Sequence, residues 1–184
     1  MIKLSNYPSL IPTSITTDSF TYNGAKFTIT ASSIERSEHN PYQYANGFYN
    51  SNHGITSGSI EPPHWVKLSC DKAFITDEYI FTAVYDVVVM TIKDYNIEIS
   101  MDGSKWDIVY KGSIPNTSEY TCKCSFTPVV CKNIRIKTLT TYDYRGYRWA
   151  VMRNTKVYGK LLEDYCIYNN DDNSYGIKKE IPTQ

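Results

Sequence analysis

From residue 64 to about residue 159 the chain is a succession of short runs in which apolar and polar side chains alternate, separated by turn residues. A period of two belongs to a strand with one buried face. DYNIEIS places Tyr95, Ile97 and Ile99 on one face and Asn96, Glu98 and Ser100 on the other. KNIRIKTL turns Ile134 and Ile136 inward and Arg135 and Lys137 outward. HWVKLSC alternates too, with Trp65 offset from Val66 and Leu68, and YIFTAVYDVVVM reads as a buried strand with a turn inside it. MDGS is a turn, KWDIVYKG its returning strand, 119–126 a further strand, and RWAVMRNTKVYG the last. Upstream, Asn23-Gly24 tolerates the positive φ of a type I′ turn and joins a strand near 18–22 to one near 25–31. No stretch carries a sustained helical stripe. Many short strands with regularly spaced turns predict an all-β sandwich or jelly roll.

The chain has 184 residues, enough for one domain with its own core. Residues 1–16, rich in serine, threonine and proline, read as an irregular, uncommitted arm. The domain proper spans 17–160, and 161–184 read as a tail able to dock on the domain or on a neighbour. Residues 32–63 keep no period and form a long loop with one helical turn near Tyr44–Phe48. Long loops in compact domains usually carry function.

Lysine plus arginine balances aspartate plus glutamate, 19 against 19. A neutral chain offers no net field for polyphosphates, so nucleic acid is not an expected partner. No segment reaches the roughly 20 apolar residues that cross a bilayer, and the start, MIKLSNYPSLIP, has no stretch of signal-peptide length. Five cysteines cannot all pair within one chain. Cys122 and Cys124 point to one face, and with no matching second pair they read as reduced structural thiols rather than zinc ligands. Three histidines, His39, His53 and His64, are the only imidazoles, and no catalytic motif surrounds them. His64 reads as a strand-edge residue. Acid pairs such as Asp77-Glu78 read as solvated turn residues. Catalysis is therefore not expected.

Four segments in order, PPHWVKLSCDKAF, DYNIEISMDGSKWDIVYKG, KNIRIKTL and GYRWAVMRNTKVYG, resemble the discoidin or coagulation-factor type C domain, which groups with galactose-binding-like carbohydrate modules. The resemblance covers about residues 30–160. It implies an eight-stranded jelly-roll β-sandwich, with Trp65 and Trp106 anchoring the core between the sheets. It also implies that ligands meet the loops at one end, here about 36–60 and 140–148, with help from 84–92 and 112–118. Many members of that family hold a structural calcium beside an Ala-Phe-Asp-Gly stretch and a glutamate of the last strand. Here Tyr49 stands at the aspartate position, and Arg153-Asn154-Thr155 replaces the usual Arg-Glu-Leu. Calcium needs charged oxygens, so no cofactor is expected.

The candidate ligand-binding residues are His39, Asn40, Tyr42, Tyr44, Tyr49 and His53 in the first loop, with Tyr142, Tyr144 and Arg145 in the late one. A sugar needs a flat ring against its C–H face and planar hydrogen-bonding groups on its hydroxyls. The same tyrosines can instead brace the loops, and Tyr147 falls in the segment resembling the last strand. Two functions follow. One is a non-catalytic glycan-binding or adhesion module on a phage or other virion particle (tail, fibre or capsid decoration), held to other subunits through arm and tail and acting in multiple copies. The other is a structural subunit of an intracellular or virion assembly, cytoplasmic in the first case, whose loops meet protein.

Overall fold

The computed structural model describes residues 7–12, 14–34, 40–46, 54–55, 60–84, 92–116, 119–142, 146, 148–162, 165–169 and 175–179. For 54–55, 119, 165–169 and 175–179 this is the backbone alone. The fold is all-β. Its main sheet holds β1 (Ser19–Tyr22), β2 (Ala25–Ala31), β3 (Gly54–Ile55), β4 (His64–Val84), β5 (Ile92–Ser100), β6 (Asp107–Ser113), β7 (Glu119–Thr141) and β8 (Val151–Leu161), every pairing antiparallel. A separate hairpin, β9 (Tyr165–Asn169) with β10 (Tyr175–Lys179), forms within the expected tail.

Two strands are longer than the sequence pattern suggests. HWVKLSC and YIFTAV are one strand, β4, and 119–126 and KNIRIKTL are one strand, β7. Their shared register breaks between Ser69 and Phe74 and again between Thr76 and Glu78. Bulges of this kind bend a strand, and here they carry the sheet from one layer to the other. The first layer runs β1-β2-β4-β7-β5-β6, using His64–Ser69 of β4 against Asn133–Thr138 of β7. The second pairs the far half of β4 with the near half of β7 on one side and β8 on the other, and β3 lies beyond β8. Phe27, Ile29, Val66, Leu68, Ile97, Ile134 and Ile136 of the first layer share one core with Phe74, Phe81, Cys124, Met152 and Val157 of the second. Phe81 meets Tyr95 edge-on across the layers, centroids 5.1 Å apart, and the Tyr95 hydroxyl lies 3.4 Å from Cys124 Sγ.

The turns form as their residues dictate. Asn23 and Gly24 take φ of 48° and 73°, as the type I′ hairpin between β1 and β2 requires. Between β5 and β6, Asp102 Oδ1 accepts the backbone N–H groups of Ser104 and Lys105 at 2.7 and 2.9 Å, while Gly103 takes a φ of 79°. Those donors hold the Asp102 carboxyl below the usual range.

Several expectations are corrected. Trp65 and Trp106 do not anchor the core; both are half-exposed on the outer surface. Trp65 has the opposite parity to Val66 and Leu68, and Trp106 lies just before β6 with the Arg135 guanidinium 3.8 Å over its ring. Asn96, Glu98 and Ser100 point away from the core yet are buried. Glu98 is 3% exposed because Arg135 (Nε at 2.8 Å) and Lys137 (Nζ at 3.7 Å) close over it from β7. Glu78 sits at the second bulge of β4 rather than in a solvated turn, buried and bonded to Lys123 Nζ at 2.9 Å and Ser125 Oγ at 3.2 Å. The helical turn falls at Pro41–Tyr44 and is 3-10. The N-terminal segment is not uncommitted: Leu10, Ile11 and Ile15 are core residues, and Leu10 N donates to Val157 O at 2.8 Å.

Removing one partner of a buried ion pair leaves the other charge unpaired, which costs about 3–5 kcal/mol. Arg135→Met should therefore destabilise the fold by that order in urea titrations, and adding Glu98→Met should restore most of the loss. Four thiols, Cys70, Cys122, Cys124 and Cys131, are free and buried. Burial pushes Cys70 and Cys122 up to about 11 and Cys124 to about 12. A disulfide reagent at pH 8 should leave these four unmodified in the folded protein and titrate all five cysteines in denaturant.

Candidate functional site

Register fixes where the long connections emerge. In the first layer Ala31 lies opposite Val66, His64 opposite Thr138, Ile92 opposite Thr141, and Asp94 opposite Ser113. The end of β2 and the start of β4 therefore share one rim with the start of β5 and the ends of β6 and β7. Connections 32–63, 85–91, 114–118 and 142–150 all leave or enter there. One contact ties the first of these to the last directly, and two more join one of them to the strand that follows the other. Gly54 and Ile55 pair with Met152 and Val151, Glu61 forms an ion pair with Arg148, and His64 Nε2 lies 2.8 Å from Arg148 O.

The rim is braced by polar groups. The Tyr142 hydroxyl donates to Ile114 O at 2.8 Å, and Ile114 N donates to Lys93 O at 2.8 Å. The Lys93 ammonium stands 5.9 Å from the centre of the Tyr142 ring. Tyr142 is half-buried, so part of its ring stays available to a ligand. Asp94 accepts from Ser113 Oγ at 2.5 Å and Thr140 Oγ1 at 2.6 Å, and these bonds hold its carboxyl below the usual range. His64 is 1% exposed, and burial lowers its basicity against the opposing pull of Arg148 O. It opens β4, as expected of a residue at a strand start, and is a buried neutral brace beneath the rim.

The described candidates of the first loop lie on a flank. The 3-10 helix Pro41–Tyr44 packs against β2, β3 and β8 and covers the side between the layers. Asn40 precedes it and is half-buried; its carbonyl accepts Gln43 N at 3.0 Å. Tyr42 is also half-buried, with its backbone N–H on Asp18 Oδ1 at 2.8 Å. Tyr44 is a core residue, 1% exposed, and burial raises its hydroxyl well above the usual phenol range. His39, Tyr49, His53, Tyr144, Arg145 and Tyr147 lie outside the described residues. Sequence reasoning missed Lys93 and Ile114, which hold Tyr142. Neither has a ligand-like side chain pattern, and only the register of β5 against β7 brings them to it.

The calcium implied by the family does not fit the residues present. Asn46 Oδ1 accepts Ile15 N at 3.2 Å, and its Nδ2 donates to Ile15 O at 2.8 Å. Its carbonyl accepts Asn154 N at 3.1 Å, with Asn154 at a φ of 55°. The oxygens of Asn46 are thus committed within the protein. Among the described residues no three His, Cys, Asp or Glu side chains converge as metal ligands.

The F5/8 type C domain model matches residues 28–153, more than half of the chain. No curated protein sequence matches. Among solved structures, CpGH89CBM32-5 from Clostridium perfringens, in complex with GalNAc-β-1,3-galactose, is 14% identical over 72% of this chain and 94% of its own, with a TM-score of 0.57. The family 32 carbohydrate-binding module of C. perfringens NanJ, in complex with galactose, is 17% identical over 71% and 92%, TM-score 0.57. A selenomethionine-labelled mutant of chitosan-binding module 1, from a chitosanase/glucanase of Paenibacillus sp. IK-5, is 17% identical over 83% and 99%, TM-score 0.59. At these identities the likeness is one of fold.

An imidazole whose folded pKa is depressed takes up fewer protons folded than unfolded. Its contribution to stability is full above the unfolded value near 6.5 and is lost as pH falls. Urea titrations should show the wild-type chain less stable at pH 5 than at pH 7, and a smaller drop for His64→Gln. Equal drops would assign the pH dependence to other groups.

Proposed function

Because the chain belongs to the F5/8 type C domain family, we propose that it is a non-catalytic module that binds glycan at its loop rim. One observation carries this reading: connections 32–63 and 142–150 meet at one end of a sandwich whose fold is that of sugar-bound modules. Galactose and GalNAc-galactose are the ligands of two of those modules, so a galactose-bearing glycan is the first ligand to try. Tyr142 supplies the ring, poised by its bond to Ile114 O. Asn40 and Tyr42 stand on the adjoining flank, and His39, Tyr49, His53, Tyr144 and Arg145 belong to the same two loops. His64, the one described histidine, is buried.

The finer reading is an adhesion or virion component that displays many copies. Shallow sugar sites are weak, about 4 kcal/mol at a millimolar Kd, and copies on one particle turn weak contacts into firm attachment. The hairpin β9–β10 favours contact with other subunits: it pairs with itself and not with the main sheet, and an isolated two-stranded hairpin is marginal in water. The same observation supports the alternative of a structural subunit, in a particle or in a cytoplasmic assembly.

A glycan array probed with a tetramerised chain should give signal on galactose-terminated glycans, competed by free galactose. Tyr142→Ala should weaken that signal tenfold or more. Tyr142→Phe, which keeps the ring and removes only the bond to Ile114 O, should weaken it less. Silence at every glycan density, with a stable protein partner recovered by pull-down, would reverse the order of the two readings.

A further inference from the structure

The outer face of the first layer runs down from the rim, and cross-strand register sets its side chains in rows. One row crosses Lys67, Arg135, Glu98 and Ile108; the next crosses Trp65, Lys137, Asn96 and Lys111. Neighbouring strands are about 4.8 Å apart, so the step from β4 to β6 spans about 14 Å. Four cations stand within that width. Glu98 is the one carboxylate in these two rows, and it is buried beneath Arg135 and Lys137. It balances one of the four charges. Asp94, nearer the rim, is tied to Ser113 and Thr140. A chain of zero net charge has thus gathered positive charge on one sheet face.

The cations differ in their commitments. The Arg135 guanidinium is fixed between Glu98 and the Trp106 ring. The Lys67 ammonium stands 5.6 Å from the Trp65 ring, and Lys137 approaches Glu98 only to 3.7 Å. Lys111 is exposed, at the edge of a shallow hollow of about 310 Å³ whose other walls include Asp94, Asn96, Gly112, Ser113 and Leu139. Lysines act as point charges that accept anions in many orientations. Trp65, half-exposed beside Lys67, supplies an apolar ring at one side of the patch. A flat, hydroxyl-rich polymer with a carboxylate on each sugar matches this arrangement in shape and charge. Nucleic acid matches it less well: Arg135 already covers the face of Trp106 on which a base would stack.

We propose that this sheet face is a second ligand site, separate from the rim, and that it takes an acidic, uronate-bearing polysaccharide. Polygalacturonate and its neutral counterpart, galactan, are the probes. In affinity electrophoresis at low salt the full chain should be retarded by polygalacturonate, and the retardation should fade as salt screens the lysines. Lys67→Gln/Lys111→Gln leaves the Glu98 cluster untouched. It should keep the wild-type melting temperature and weaken polygalacturonate binding fivefold or more. It should leave any binding of galactose-terminated glycans unchanged, whereas Tyr142→Ala should do the converse. If galactose binding is absent while the lysine variant still loses polygalacturonate, the rim reading fails and this one stands. No retardation by polygalacturonate at low salt, an unaltered affinity in both Lys67→Gln/Lys111→Gln and Lys111→Glu, or equal retardation by single-stranded DNA would each overturn the proposal.

Discussion

The pairing of β4 with β7 is the constraint on which the rest of the molecule depends. Both strands pass through both layers, and both bend where their register slips between Ser69 and Phe74. Each half of the pair then serves as the template for one layer: β2 and β5 add to the first, β8 to the second. A slip of one residue in either half would turn its apolar row outward. Val66 and Leu68 oppose Ile136 and Ile134 in one half, and Phe81 opposes Cys122 in the other. Burial on the inner side of both halves therefore holds one register. The rim follows from the same pairing, because the strand ends that anchor its loops are set by where His64 and Thr138 meet.

Electrostatics is subordinate to that packing and shaped by it. The outer face of a sheet is ordinarily solvated, yet Glu98 is nearly as buried as the core. Its strand lies between β6 and β7, and long side chains from β7 fold across it. A charge enclosed this way needs partners in place, and Arg135 and Lys137 provide them. Arg135 in turn is held under Trp106, whose indole N–H donates to Gly103 O at 3.2 Å. The turn built by Asp102 and Gly103 thus reaches through Trp106 and Arg135 to a buried carboxylate.

This chain shows which features alternation reveals and which it hides. Parity along β5 and β7 was legible, and Tyr95, Ile97, Ile134 and Ile136 are core residues as expected. The Asn23-Gly24 and Asp102-Gly103 turns were legible too, because few residues take positive φ. Parity states a direction and not what covers a side chain, so the burial of Glu98 went unread. The misplacement of Trp65 had the opposite cause. Its offset from Val66 and Leu68 was visible, but size and apolarity argued for the core and parity against it, and parity prevailed. Continuity of β4 and β7 was hidden because polar stretches such as Asp77-Glu78 look like turns. They sit at the second bulge, where Glu78 finds Lys123 and Ser125 on the neighbouring strand. At the rim the meeting of the two loops followed from the strand order. The Tyr142–Ile114–Lys93 bracket did not, since it depends on two different connections and the start of β5.

On the flank of the sandwich one asparagine joins three parts of the chain. Asn46 bonds the N-terminal segment at Ile15 through both ends of its amide, and bonds β8 at Asn154 through its carbonyl. Three distant parts of the chain meet on one neutral side chain and its peptide group. Asn154 holds a positive φ to deliver its N–H there, a conformation that asparagine tolerates better than most residues. The base of the first loop is thus fixed by the same hydrogen bonds that dock the N-terminal segment onto the core.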